Sequence, residues 1–123
     1  MVFKKRSQQI LEQFNQTEII KSSIGVNFFG QESLSVKQIR GNGVLILTEY
    51  QLFFEMWAPK RQVKIPLKMI ITIDTPKWHL KKSKSRPLLK VNYYNEMGKI
   101  DSCAWLVRDL KDWLEVLQNM MEK

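Results

Sequence analysis

Hydrophobic and polar positions follow three different rhythms along the chain. Between Phe3 and Gln16 the apolar residues Phe3, Ile10, Leu11 and Phe14 recur at near-helical separations, which predicts a short amphipathic helix with a narrow packed face. Lys4, Lys5 and Arg6 fall in its first turn, where the helix dipole disfavours positive charge, so its earliest residues are expected to fray. From Thr17 to Trp105 short runs rich in β-branched and aromatic residues alternate with turn residues, the signature of an all-β sandwich or barrel. Beyond Trp105 the period lengthens to nearly four. Leu106, Leu110, Trp113, Leu114, Leu117, Met120 and Met121 then share one stripe, which predicts a C-terminal helix with Asp109 and Asp112 as its cap and first-turn acid.

The β-rich stretch divides into seven predicted strands. The first covers Glu18 to Phe29. GVLILT and QLFFEMW form a hairpin across Glu49-Tyr50, and their apolar character on both faces marks them as central strands. QVKIPL follows, and Pro66 places it at an edge or ends it there, because proline cannot donate to a ladder. MIITIDTPKWHL (Met69 to Leu80), LLKVNYY and KIDSCAW complete the set, with Met97-Gly98 in the last turn.

Composition narrows the class. The 123 residues are 44% apolar and 26% charged, as expected of one globular domain with a real core. Twenty basic against twelve acidic side chains leave a net charge of +8, which favours anionic partners: phospholipid headgroups, nucleic acid or an acidic protein surface. The single cysteine, Cys103, has no sequence partner for a disulfide or metal cluster, which allows a reducing compartment. The N-terminal residues lack the continuous apolar stretch of a signal peptide, and no run approaches a membrane span. The expected address is cytoplasmic, with peripheral membrane contact as its variant.

The order of these parts resembles the pleckstrin-homology (PH) superfamily, and within it the GRAM and bacterial PH-like branches. GVLILTEYQLFFEM, KIPLKMIITI, LLKVNY and a final helix bearing Trp113 carry the resemblance. Its matched positions are Gly43, Leu47, Thr48, Leu52, Phe54, Ile65, Pro66, Leu67, Ile70 and Ile73. The resemblance implies a mainly β fold: a PH-like seven-stranded antiparallel sandwich or barrel of two near-orthogonal sheets, capped by the C-terminal helix. The short N-terminal helix, residues 1–16, precedes the PH-like/GRAM-like domain, residues 17–123. Phosphoinositide-binding relatives carry a spaced lysine and arginine pattern between the first two strands; here that connection offers Lys37 and Arg40 alone.

If the strands run strictly up and down, the connections one to two, three to four and five to six emerge at one end. Their basic residues would then converge: Lys37 and Arg40, then Lys60 and Arg61, then Lys81, Lys82, Lys84 and Arg86. The last group belongs to KWHLKKSKSRPLLK, where six of fourteen residues are basic and none is acidic. Some relatives bind headgroups between the first and third of these connections, so the resemblance allows this use of Lys81 to Arg86. The bland alternative is a solvated hairpin whose charges keep an edge soluble. Trp57, Trp78 and Phe53 are candidate interfacial anchors, although strand aromatics usually pack inward, and the expectation is that they belong to the core.

Catalytic and metal chemistry find little support. His79 has no identifiable carboxylate partner and is expected at the surface or rim, and one histidine with one cysteine makes no metal site. Asp101, Asp109 and Asp112 read as turn and cap residues, and no phosphate loop or nucleophile motif occurs. Nucleic-acid binding ranks low, because Trp78, Tyr93 and Tyr94 do not form an obvious stacking platform. The expected protein is a non-enzymatic binding module without metal or cofactor. Its expected partner is an anionic phospholipid surface or an acidic protein. The alternative is a protein-interaction or oligomerisation module using a strand edge or the apolar face of Ile10, Leu11 and Phe14.

Overall fold

The computed structural model describes residues 3–34, 38–80, 82–83 and 86–122, with only the backbone of 82–83. Its centre is a seven-stranded antiparallel sheet, built from β1 (Ile19–Gln31), β2 (Gly41–Thr48), β3 (Gln51–Met56), β4 (Gln62–Pro66), β5 (Ile70–Asp74), β8 (Leu89–Tyr94) and β9 (Ile100–Leu106). The strand order is β4-β3-β2-β1-β9-β8-β5. Two short strands, β6 (Trp78–His79) and β7 (Lys82–Ser83), form a separate hairpin between β5 and β8. A helix stands at each end of the chain: α1 (Lys4–Leu11) and α2 (Leu110–Met121).

The long strand β1 joins the two halves of the sheet. It pairs with β2 from Ile19 to Phe28 and with β9 from Asn27 to Gln31, with register shifts at Ile19/Lys21, Ile24/Val26 and Phe28/Gly30. Bulges bend and twist a strand, so one chain segment can serve two differently oriented ladders. The sheet curls as a result. Leu45, Phe54 and Ile65 on one half share a core with Val91 and Trp105 on the other and with Trp113 and Leu117 of α2. Trp105 and Trp113 are fully buried, and enclosing a side chain of that size contributes about 2 to 3 kcal/mol. Gly43 is the tight point of the β2–β3 pair: a Cβ there would lie 2.1 Å from the Glu55 carbonyl oxygen.

The helix α1 covers the outer side of the sheet. Ile10 packs with Val44, Ile46 and Phe53, which explains why β2 and β3 are apolar on both faces. The face of Ile10, Leu11 and Phe14 is therefore engaged within the chain. Arg6 overrides the expected fraying of the first turn. It pairs with the fully buried Glu55 and donates to the carbonyls of Trp57 (3.0 Å) and Met56 (3.2 Å). Gln13 (2.9 Å) and Gln62 (2.6 Å) donate to the other Glu55 oxygen, Oε1. Burial alone would raise the Glu55 carboxyl, but the bonds from Gln13, Gln62 and Arg6 outweigh it and hold the group below its usual range. Trp57 is clamped in the same contact, donating to Ser7 Oγ at 2.7 Å and stacking on Phe3 at 4.7 Å.

Several sequence expectations change. The strand expected over Met69 to Leu80 divides at Thr75-Pro76, and only Ile70–Asp74 joins the main sheet. Leu106 closes β9, so α2 begins at Leu110. Asp109 stands at the N-cap position but makes no side-chain cap bond. Instead Asp109 (2.5 Å) and Asp112 (2.6 Å) pair with Lys21 and fasten α2 to β1, with Trp113 Nε1 donating to Ser23 Oγ at 2.9 Å. Asp101 is a buried strand residue, not a turn residue, and accepts bonds from Gln31, Ser33 and Ser102.

Candidate anion-binding site

Described residues of the three connections come together, and their focal point is Gly30, which lies just past the expected first strand of Glu18 to Phe29. Gly30 sits at the β1 bulge against β9 with φ +117°, a backbone conformation open to glycine and strained for other residues. A Cβ on it would lie 2.8 Å from Leu80 Cδ1, 3.1 Å from Arg40 Nε and 3.1 Å from Gln38 Cδ. Side chains from the β1–β2 connection and from the β6–β7 hairpin thus converge on one bare backbone position. His79 Nε2 donates to the Gly30 carbonyl at 2.9 Å, and Arg40 Nε donates to the Phe29 carbonyl at 2.7 Å.

The β3–β4 connection arrives through Arg61. Its Nη1 donates to Gln38 Oε1 (3.0 Å) and the Ile39 carbonyl (3.1 Å), and its Nη2 to Gln31 Oε1 (3.3 Å). The guanidinium also lies 4.9 Å from the Phe28 ring centroid, a cation–π contact. Gln38 ties the first connection down further, accepting from the Gln31 N–H at 2.8 Å and donating to the Gln31 carbonyl at 2.7 Å.

The electrostatics of this end are predominantly positive, with Glu32 as the opposing charge felt by His79. Among the described residues, no ion pair includes Arg40, Lys60, Arg61 or Arg86. The Nη2 of Arg40 is buried and has no hydrogen-bond acceptor among the described residues. Burial pushes the Arg61 guanidinium below its ordinary pKa, and the neighbouring Arg40 charge acts in the same direction. His79 is likewise pushed below its ordinary value, first by burial and further by Lys90 and Arg40, against the opposing Gly30 hydrogen bond and Glu32 charge. The nearest carboxylates have other partners: Glu32 accepts from Ser102 Oγ at 2.5 Å, and Asp101 is fully engaged beneath β1.

Of the eight basic residues singled out by sequence, Arg40 lies against Gly30 and Arg61 bonds the neighbouring Gln31, Gln38 and Ile39, while Lys60 and Arg86 stand exposed on the connections that carry them. Lys37, Lys81 and Lys84 lie outside the described residues, as does the side chain of Lys82. His79, expected at the surface or rim, is 4% exposed and acts as a latch. Trp78 is the reverse correction: expected in the core, it is 65% exposed. Phe53 lies in the α1 contact and Trp57 is half-buried there, so neither is an interfacial anchor. The isolated glycine in the apolar run FFGQ was the available signal for Gly30, since glycine inside a strand pattern marks a bulge or close approach.

Other groups offer less chemistry. Cys103 is fully buried against the Tyr93 hydroxyl at 3.6 Å, and burial pushes its thiol up to about 12, far from thiolate reactivity at neutral pH. Among the described residues no cluster of His, Cys, Asp and Glu could hold a metal ion. No described helix is long and apolar enough to cross a membrane. An open cleft of about 890 Å³ runs between the outer edge of β4 and the β8–β9 turn, lined by Gln51, Gln62, Val63, Tyr94 and Met97 among others.

Comparison with known proteins gives a fold likeness. No family model and no curated protein matches the chain. A solved chain of the 8S snRNP assembly intermediate superposes with a TM-score of 0.61 at 9% identity, over 88% of this chain and 82% of its own. The C-terminal domain of an unknown protein from Leishmania infantum superposes with a TM-score of 0.62 at 15% identity, over 99% of this chain and 96% of its own. At these identities the likeness concerns the fold alone.

Proposed function

We propose that the chain is a non-enzymatic PH-like module that docks weakly on an anionic lipid surface through the connections gathered around Gly30. The PH-like reading takes the curled sheet as two near-orthogonal layers sharing β1, with α2 closing the open end. One observation carries the docking reading. Arg61, Arg40 and His79 link three separate connections at one end of the sheet, and no described ion pair neutralises the arginines there. Each lysine or arginine near an anionic bilayer contributes about 1 kcal/mol and is screened beyond about 8 Å at physiological salt, so docking of this kind is weak and salt-sensitive.

Sedimentation with phosphatidylserine vesicles at low and high salt tests the reading. Binding is expected at low salt and should fade at high salt. The double variant Lys60→Glu, Arg86→Glu should lose binding while keeping its thermal midpoint, because both side chains are exposed. Absence of binding at low salt removes the lipid reading. A protein-interaction module is the second reading, favoured by the outer edge of β4, which pairs with no strand among the described residues and lies beside the cleft. A strict monomer in light scattering at high concentration counts against self-association at that edge.

A further inference from the structure

The two segments that meet at Gly30 show an inverted pattern of polar and apolar side chains. In the β1–β2 connection Gln38 and Arg40 turn inward onto Gln31, Phe29 and Gly30, while Ile39 between them is 60% exposed. In β6 the alternation of a strand does the same: His79 points in to the Gly30 carbonyl, and Trp78 points out, 65% exposed. A solvated turn would place its polar residues outward and its apolar ones inward. Here backbone acceptors and the close approach at Gly30 hold the polar side chains in and leave two large apolar ones facing water.

Their surroundings select a partner. Lys77 and Arg86 are exposed on the β5-to-β8 connection that carries Trp78, and Lys60 is exposed on the β3–β4 connection, whose Arg61 bonds the Ile39 carbonyl, so cations accompany the apolar side chains. A partner for this patch has to offer negative charge and apolar contact together. An anionic bilayer offers both in layers, headgroup phosphates and carboxylates above and acyl chain just beneath, and tryptophan is the side chain most at home at that boundary. We propose that Trp78 and Ile39 insert into the interface of an anionic bilayer, with the basic side chains around them resting on the headgroups. This rests on the lipid-docking reading given above and adds to it an apolar contact that salt does not screen.

The test uses the full chain with phosphatidylserine vesicles whose phosphatidylcholine acyl chains are brominated, because bromine quenches only tryptophans that reach the acyl region. Trp105 and Trp113 are buried and Trp57 is stacked under Phe3, so a Trp78→Phe variant isolates the Trp78 signal while keeping an aromatic anchor. The expected result is quenching in the parent chain that disappears in Trp78→Phe, with sedimentation retained. The double variant Trp78→Ser, Ile39→Ser should bind about tenfold more weakly at low salt and lose the residual high-salt binding. Sedimentation without Trp78-dependent quenching overturns insertion and leaves charge-only docking intact. Absence of sedimentation overturns both. Equal affinity for polyglutamate and for vesicles, without quenching, overturns the lipid in favour of an acidic polypeptide.

Discussion

Two regions of the same sheet, the face under α1 and the end around Gly30, resolve their polar groups in opposite ways. Over β2 and β3, α1 brings Arg6 and Gln13 to the buried Glu55, and both carboxylate oxygens find donors within the chain. Around Gly30 the connections bring arginines together with no ion pair among the described residues, and one guanidinium nitrogen finds no acceptor among them. The apolar residues differ in parallel: Ile10 and Phe53 are buried beneath α1, whereas Ile39 and Trp78 face solvent. The first region is complete as it stands. The second has donors, charge and apolar surface in excess of what the chain itself uses, which is why it and not the helix is the candidate for an external partner.

Breaking the first region should affect folding alone. Arg6→Ala leaves Glu55 buried with only amide donors, and removal of one partner of a buried ion pair should lower stability by about 3 kcal/mol in urea titration. Vesicle binding at a temperature where the variant is folded should match the parent. A shared loss of binding would mean that the two regions are not independent.

Breaking the second region at its focus should affect both properties. Gly30→Val puts a β-branched side chain at φ +117° against Leu80, Arg40 and Gln38, with an expected stability loss of about 2 kcal/mol. The connections must part to admit it, so vesicle docking should weaken beyond what the stability loss explains. A stable Gly30→Val protein that docks normally would show that the convergence is incidental.

The smallest effect separates the regions by pH. The folded pKa of His79 lies below 6.5, so the unfolded chain binds a proton more readily; the stability this group contributes is full above pH 6.5 and declines as pH falls from there. Glu55 has a folded pKa below 4.5, so its contribution is full above pH 4.5 and is lost only as pH falls through the lower folded value. Hydrogen exchange should therefore show amides around Gly30 losing protection in mildly acid solution before those under α1. Replacing His79 with glutamine, which keeps a donor but does not titrate, should remove the first of the two losses.

Much of the framework is legible along the chain. The Glu49-Tyr50 hairpin, the edge position of β4 ending at Pro66 and the stripe of α2 follow from local periodicity and turn chemistry. The double-sided burial of β2 and β3 was also legible, though not its cause, because nothing local says that α1 is what lies outside them. Trp78 and His79 exchange their expected places for a similar reason. Strand alternation says that adjacent residues point to opposite sides, and only the acceptor at Gly30 decides which side is inward. Asp109 likewise looks like a cap from its position, but Lys21, eighty-eight residues away, provides the stronger partner.

The sequence by itself determined the mainly β architecture, the terminal helices, the excess of positive charge and the segments that carry it, because periodicity, turn residues and composition are local or additive properties. Tertiary structure decided which of those charges meet, which are absorbed and which apolar side chains remain outside. Those outcomes depend on distances between residues far apart in the chain, and here they are fixed at Gly30, where the missing Cβ lets connections from distant parts of the chain close on a single turn of backbone.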